Sequence, residues 1–351
     1  MTNATLRLTQ YAHGSGCGCK IAPAVLQEII GHSTHAANYP GLLVGNHTND
    51  DAAVIELENN QCLVATTDFF TPVVDDAFDF GRIAAANAIS DVYAMGGKPL
   101  LALAILGWPV DTLPAAIAAE VLKGARQICD EVGIPLAGGH SIDTREPIFG
   151  LSVNGLVQKA HIKRNSTAKS GNLLYLTRPI GTGVLAAALK RGLIREEEKA
   201  LLTQHMCTVN KVGLLLATHS DVSAMTDVTG FGIAGHLLEM SKSAGLTAEI
   251  HLKQLPVLPG VTTYIGNGVM PDATFRNWNA FSPQMKVDVA ADMSLAFSLL
   301  PDPQTNGGLL FSCTPESAPA LISQLVAAGY AEPAQIGRLL PASDTPLRVL
   351  P

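Results

Sequence analysis

Little of this 351-residue chain is charged: Asp, Glu, Lys and Arg make up 15% of it, against 47% apolar residues. That balance excludes a disordered chain and favours extensive buried surface, including a subunit interface. The chain lacks any apolar run of about 18 residues free of breakers, so no membrane span is expected. Its N-terminus, Met1-Thr2-Asn3-Ala4-Thr5-Leu6-Arg7, has no apolar signal core, and a cytoplasmic location is expected. Basic blocks and aromatic-basic alternation are missing and the net charge is −7, so nucleic acid is not an expected partner. Cysteine is sparse. Beyond Cys17 and Cys19, the residues Cys62, Cys129, Cys207 and Cys313 stand singly and offer no second pair to a zinc site. There is no Gly-x-x-x-x-Gly-Lys-Ser/Thr and no protein-kinase signature set, which excludes both of those ATP-using classes. Internal repeats and low-complexity segments are absent too.

What is present begins with Gly14-Ser15-Gly16-Cys17-Gly18-Cys19-Lys20. Two thiols and an amine share a backbone loosened by three glycines, which permit positive φ and close approach to a ligand. A thiol reacts as the thiolate, and a nearby cation such as Lys20 favours that form. The stretch alone leaves four readings open: an activated nucleophile, a redox couple, half a zinc site with His13, or a Gly-rich tail.

The length suggests two domains of ordinary size. Downstream of the Cys loop, Ala22–Ile30 reads as a short helix and Leu42–Val44 as a short strand. The polar loop Asn46–Asp51 follows, and a hairpin turns about Glu58-Asn59-Asn60. The clearest helix is Asp79–Met95, with Asp79 as the expected N-cap and Gly96-Gly97 as the stop. On it Asn87 and Asp91, four apart, share a face. Pro99–Trp108 reads as a buried strand and Leu113–Val132 as a helix. Ile134–Ala137 reads as a strand running into the loop Gly138-Gly139-His140-Ser141, suited to presenting main-chain N–H groups to phosphate. The chain turns polar and basic over 158–171, which is read as a linker. This gives an N-terminal segment 1–45, a first domain 46–157 and a second domain 172–351, in an α/β or α+β pattern. In the second, Pro179–Gly183 opens a helix in a way that suits an anion.

Asp50, Asp51, Asp68, Asp91 and Asp227 each stand at the edge of an apolar element. Burying an unpaired carboxylate is costly, so such groups have a cation or donors nearby. Caps, turns and pairing with Arg82 or Lys98 account for single cases. For the set, a shared divalent cation is the more economical reading, and oxygen-only ligands suit Mg²⁺ or Mn²⁺. Metal carboxylates, Gly loops and a lysine are the parts of a phosphoryl-transfer site.

At this point the chain resembles the selenophosphate synthetases (selenide, water dikinases) of the aminoimidazole ribonucleotide synthetase-like superfamily, over essentially its whole length. The resemblance is carried by Gly14–Lys20, Asp50-Asp51-Ala52-Ala53-Val54, Thr66–Phe70, Asp79–Asp91, Ala137–Ser141, Thr226–Gly232 and Asp302-Pro303-Gln304-Thr305. Asn306 stands where a serine is expected. The resemblance implies a two-domain α/β fold whose N-terminal sheets pair into a barrel-like homodimer core, with 46–157 as the ATP-binding and dimerisation domain. It also implies conversion of ATP, selenide and water to selenophosphate, phosphate and AMP, as activated selenium for selenocysteine and selenouridine synthesis. Hydrogen selenide or a selenium-delivery protein would be the donor. Under it Cys17 is the catalytic thiol, and Lys20 contacts phosphate and holds that thiol ionised. Asp51, Asp91 and Asp227 would hold Mg²⁺. The ATP site would be lined by Lys20, Thr48, Asn49, Asp50, Asp68, Asp91, Gly139, His140 and Ser141.

Overall fold

The computed structural model describes residues 6–21, 25–26, 28–29, 39–45, 49–330 and 333–351. The helix expected over Ala22–Ile30 falls largely outside these residues, and Thr48 falls outside them entirely. Two sheets organise the chain. The first comprises β1 (Leu42–Val44), β2 (Ala53–Glu56), β3 (Gln61–Phe70), β4 (Lys98–Trp108), β5 (Leu136–Asp143) and β6 (Ile148–Gln158). Their order in space is β1-β2-β3-β6-β4-β5, antiparallel except for the β4–β5 pair. The turn joining β2 to β3 passes through Asn59 and Asn60 at φ 58° and 59°. Asparagine tolerates these left-handed values, which fit the twist of a tight hairpin.

The second sheet comprises β7 (Leu173–Leu176), β8 (Val222–Asp227), β9 (Leu246–His251), β10 (Met285–Val287), β11 (Leu309–Cys313), β12 (Ala334–Pro341) and β13 (Leu347–Leu350). Its order is β10-β13-β9-β12-β7-β11-β8, and neither sheet closes on itself within the chain.

Helix α1 (Ala77–Ala94) lies between the two halves. Every residue from Ile83 to Ala94 is buried, so the helix is small or apolar nearly all round rather than amphipathic. Phe80 wedges it against the first sheet, its ring 6.1 Å from Phe70 and 6.2 Å from Phe149. On another side it crosses α2 (Ala115–Val132) at two glycines. A Cβ on Gly81 would lie 1.8 Å from the Val121 carbonyl oxygen, and one on Gly124 would lie 1.9 Å from that of Phe78. The two backbones touch there, and no side chain fits between them. Toward the second half, Ser90 Oγ accepts from Asn210 Nδ2 at 2.8 Å.

The segment 158–171 is built into the molecule by buried polar contacts. Lys163 Nζ donates to the carbonyls of His219 (2.8 Å) and Val222 (2.7 Å), and the main-chain N–H of Asn165 donates to Asp50 Oδ1 at 2.6 Å.

Several local expectations change. Asp76, not Asp79, caps α1, its side chain accepting from the Asp79 N–H; Asp79 pairs with Arg82 at 3.0 Å. β4 is buried on one face only: Leu100 and Leu103 remain 49% and 39% exposed. Gly138–Ser141 is not a loop but the body of β5, which runs along the sheet edge with its residues exposed. Among the described residues no helix is long and apolar enough to cross a membrane.

Replacing Gly by Ala inside a helix ordinarily stabilises by about 1 kcal/mol. At the α1–α2 crossing the sign reverses. Gly124→Ala is expected to destabilise by about 1–3 kcal/mol, read from the urea midpoint, because the added methyl displaces main chain.

Candidate active site

The N-terminal segment reaches the site as one turn of 3₁₀ helix, Cys17–Cys19. Gly16 sets it in place: at φ 51° its N–H donates to the Thr71 carbonyl at 3.1 Å. A Cβ on Gly16 would sit 2.3 Å from Thr305 Oγ1, so the approach requires glycine. Cys17 follows, 1% exposed. Its N–H donates to Thr305 Oγ1 at 3.0 Å and its Sγ–H to Asn87 Oδ1 at 3.3 Å.

Asn87 is fully buried on α1 and connects three parts of the site. Its Oδ1 also accepts from the Asn306 N–H at 2.7 Å, and its Nδ2 donates to Asp68 Oδ2 at 2.6 Å. The 302–306 loop that receives the cysteine is itself ordered by Gln304, whose Oε1 accepts from the N–H groups of Gly181 (2.8 Å) and Thr182 (3.1 Å). The anion position expected at that helix start is therefore filled by a side-chain amide. Asn306 adopts φ 47°, and its Nδ2 reaches the carbonyls of Met206 (2.6 Å) and Thr208 (2.9 Å). One serine hydroxyl, with a single donor, cannot serve both carbonyls, which accounts for asparagine here.

Lys20 extends behind the thiol, its Nζ 5.7 Å from the centre of the Phe231 ring. Burial works against its charge, but the neighbouring acids, Asp68 foremost, outweigh burial and hold it above the ordinary lysine range. Lys20 is thus a fixed cation. With the segment seated, burial and then the Asp68 charge push the Cys17 thiol up, and the Lys20 charge works the other way. Burial thus favours the neutral thiol, which donates to Asn87.

Three carboxylates converge electrostatically from three elements: Asp51 just before β2, Asp91 on α1 and Asp227 at the end of β8. Burial raises the pKa of each; Asp51 and Asp91 are raised further by the Asp227 charge. Threonines hold two of them, Thr226 Oγ1 donating to Asp51 Oδ1 at 2.7 Å and Thr66 Oγ1 to Asp91 Oδ2 at 2.6 Å. The Oδ2 atoms of Asp51 and Asp227 are buried with no hydrogen-bond partner. Among the described residues no three such side chains form a ready-made metal cage. Mutually repelling carboxylates with orphaned, buried oxygens nonetheless fit a divalent cation, which supplies the missing partner.

The other expected ligands divide. Asp68 joins the cluster through Asn87. Asn49 and Asp50 bind the 158–171 segment, the Asn49 carbonyl accepting from Asn165 Nδ2 at 3.0 Å. Gly139, His140 and Ser141 lie on β5, separated from β3 and its Asp68 by β6 and β4, about 14 Å at ordinary strand spacing. One chain does not bring them to the carboxylates. Sequence reasoning missed Thr66 and Thr226, although both stand within the acidic motifs, and it missed Thr305. It also missed Asp302, a carboxyl against the helix start at Gly183 that burial pushes up to about 7.

The raised acids make stability fall with pH. Their folded pKa values exceed the unfolded ones, so the folded state binds more protons and loses stability as pH rises from about 4 through the folded values. Adding Mg²⁺ at pH 8 is expected to raise the melting temperature by about 2–6 °C, and at pH 5 by much less. Asp227→Asn should melt higher than the parent without metal and lose the Mg²⁺ response.

Residues 49–157 match the AIR synthase related protein, N-terminal domain, and residues 169–349 the AIR synthase related protein, C-terminal domain. A selenide, water dikinase of Aeromonas hydrophila is 51% identical over 93% of each chain, and one of Cronobacter sakazakii is 55% identical over 90% of each. Among solved structures, the hydrogenase maturation protein HypE in complex with ATP has the same fold at a TM-score of 0.64 and 18% identity, over 96% of this chain and 90% of that one. With both halves matched and half its residues shared along nearly its whole length, the chain belongs to the selenide, water dikinase family of AIR synthase related proteins.

Proposed function

We propose that this protein makes selenophosphate from ATP, selenide and water, with release of phosphate and AMP. The observation that carries the reading is the seating of Cys17 and Lys20 over the Asp68, Asp91 and Asp227 charges, a thiol and a fixed cation folded onto a polyphosphate-type site. The names of its relatives and the ATP complex of its structural neighbour support the same substrates.

Asp51, Asp91 and Asp227 would hold Mg²⁺, which when bound neutralises polyphosphate charge. Lys20 stays protonated and offers a second positive charge to the transferring phosphoryl group. Asn87 orients the cysteine and Asp68 together through its two amide atoms. With Cys17 1% exposed, the seated segment excludes water while phosphoryl passes to selenium. Unseating it removes the burial that holds the thiol protonated, so reactivity of Cys17 and access to it rise together.

The protein acts as a cytoplasmic homodimer in this reading. The outer face of the first sheet exposes Phe69 (48%), Leu100 (49%) and Leu103 (39%), and Ile142 on the β5 edge is 58% exposed. Pairing that face with a second copy buries these side chains and offers Gly139–Ser141 to a nucleotide that one chain cannot bring them to. Hydrogen selenide itself or a selenium-delivery protein supplies the donor.

The test is anaerobic production of AMP and phosphate from ATP with and without selenide. Selenide should be required for AMP formation; ATP consumption indifferent to selenide overturns the reading. Cys17→Ser and Asp51→Ala are each expected to lose activity by about 100-fold or more. Their unfolding midpoints should show that the fold survives.

A further inference from the structure

A cavity of about 300 Å³ lies beside the Cys17 segment, and none of Asp51, Asp68, Asp91 and Asp227 lines it. Ser15 and Thr305 form part of its inner wall, and Lys190, Arg191 and Arg276 approach it from the second half of the chain. Asp272 is the one acidic residue of its lining, so its charge is positive.

The three cations spend their hydrogen bonds on neutral main chain. Lys190 Nζ donates to the carbonyls of Ala12 (2.7 Å), His13 (2.9 Å) and Gly14 (3.0 Å). Arg276 donates to the Gly18 carbonyl at 2.8 Å and Arg191 to that of Met270 at 2.9 Å. Among the described residues none of the three forms a contact ion pair, although Glu146 and then Asp272 act on the Lys190 charge from farther off. Ser15 Oγ is buried without a partner. The wall between cavity and cysteine is thin: Thr305, which lines the cavity, accepts the Cys17 N–H, and Gly18, which also lines it, is the next residue.

We infer that this cavity is the entry subsite for a small, soft monoanion, hydroselenide, on its way to Cys17, with Lys190, Arg191 and Arg276 concentrating it there. The inference rests on the selenide reading above for the identity of the anion, but not for the port itself. A cleft lined by one sign of charge raises the local concentration of an opposite ion. Lys190 and Arg276 also hold the segment on either side of the thiol, so the residues that draw the anion also grip the wall it must pass. Asp51, Asp68, Asp91 and Asp227 line no part of the cavity, so an anion entering there meets the basic residues first.

The experiment compares alkylation of Cys17 by iodoacetate, an anion, and iodoacetamide, its neutral counterpart, read by mass spectrometry at Cys17 in the intact protein. The ratio of the two rates, normalised to that of the denatured chain, reports charge selection rather than looseness. In Arg191→Gln, which removes charge without touching the segment, the ratio is expected to fall roughly 3- to 10-fold with the iodoacetamide rate unchanged. Lys190→Met should lower the ratio and raise the iodoacetamide rate, because the grip is lost as well. High salt should compress the parent ratio toward that of the variants. A ratio unchanged in Arg191→Gln overturns the proposal, even if Lys190→Met fails to fold. Neither reagent needs ATP turnover, so a falling ratio in a chain that shows no selenide-dependent AMP formation leaves the port standing and removes only the selenide reading.

Discussion

Like charges held close where little water reaches them repel, and the site depends on that tension being kept. Asp51, Asp91 and Asp227 each disfavour the ionised form of the others, and two of their oxygens have no partner at all. Left to themselves such groups neutralise by taking protons or move apart. Here they cannot separate freely, because Asp91 and Asp227 sit on different elements, and Asp51 and Asp91 are tied by threonine hydroxyls. Lys20, brought in on the N-terminal segment, is the chain's own partial answer. The remainder of the imbalance is an affinity for cations, which is what a site for a charged polyphosphate needs.

Helix α1 makes the arrangement possible. It carries Asp91 for the carboxylate cluster and Asn87 for the thiol, one turn apart, so metal side and nucleophile side are set by one rigid body. Its position is fixed by backbone contact with α2 at Gly81 and Gly124 and by the Phe80 ring on the sheet. A helix buried on nearly every side has little freedom to slide. Its reach to the second half through Ser90 and Asn87 then sets where Asp227 and the 302–306 loop stand relative to it.

Much of this was legible in the residues. The periodicity and stops of α1, the Glu58–Asn60 turn and the acids at the edges of apolar elements all pointed to their eventual places, because each is a local signal. What escaped was set at long range. β5 reads as a glycine loop, since nothing local shows that Ala104 lies beside Gly139 and that the pairing extends through His140 and Ser141. The alternation of β4 is masked in a run where outward positions are also apolar, Leu100 and Leu103 among them. The environment of the Cys17 thiol is likewise set at long range. Lys20 is adjacent in sequence, whereas the burial and the Asp68 charge that outweigh it come from strands and helices far along the chain.

The grip of Lys190 on residues 12–14 has an evolutionary side. It is made to three consecutive carbonyl oxygens, groups that every amino acid possesses. Apart from the His13 ring, which pairs with Glu146, the segment can therefore change side chains there without losing this grip, while the glycines that shape its path cannot. Across relatives such a strap should drift in spelling and keep its course, and the burden of constancy should fall on the single lysine that receives it.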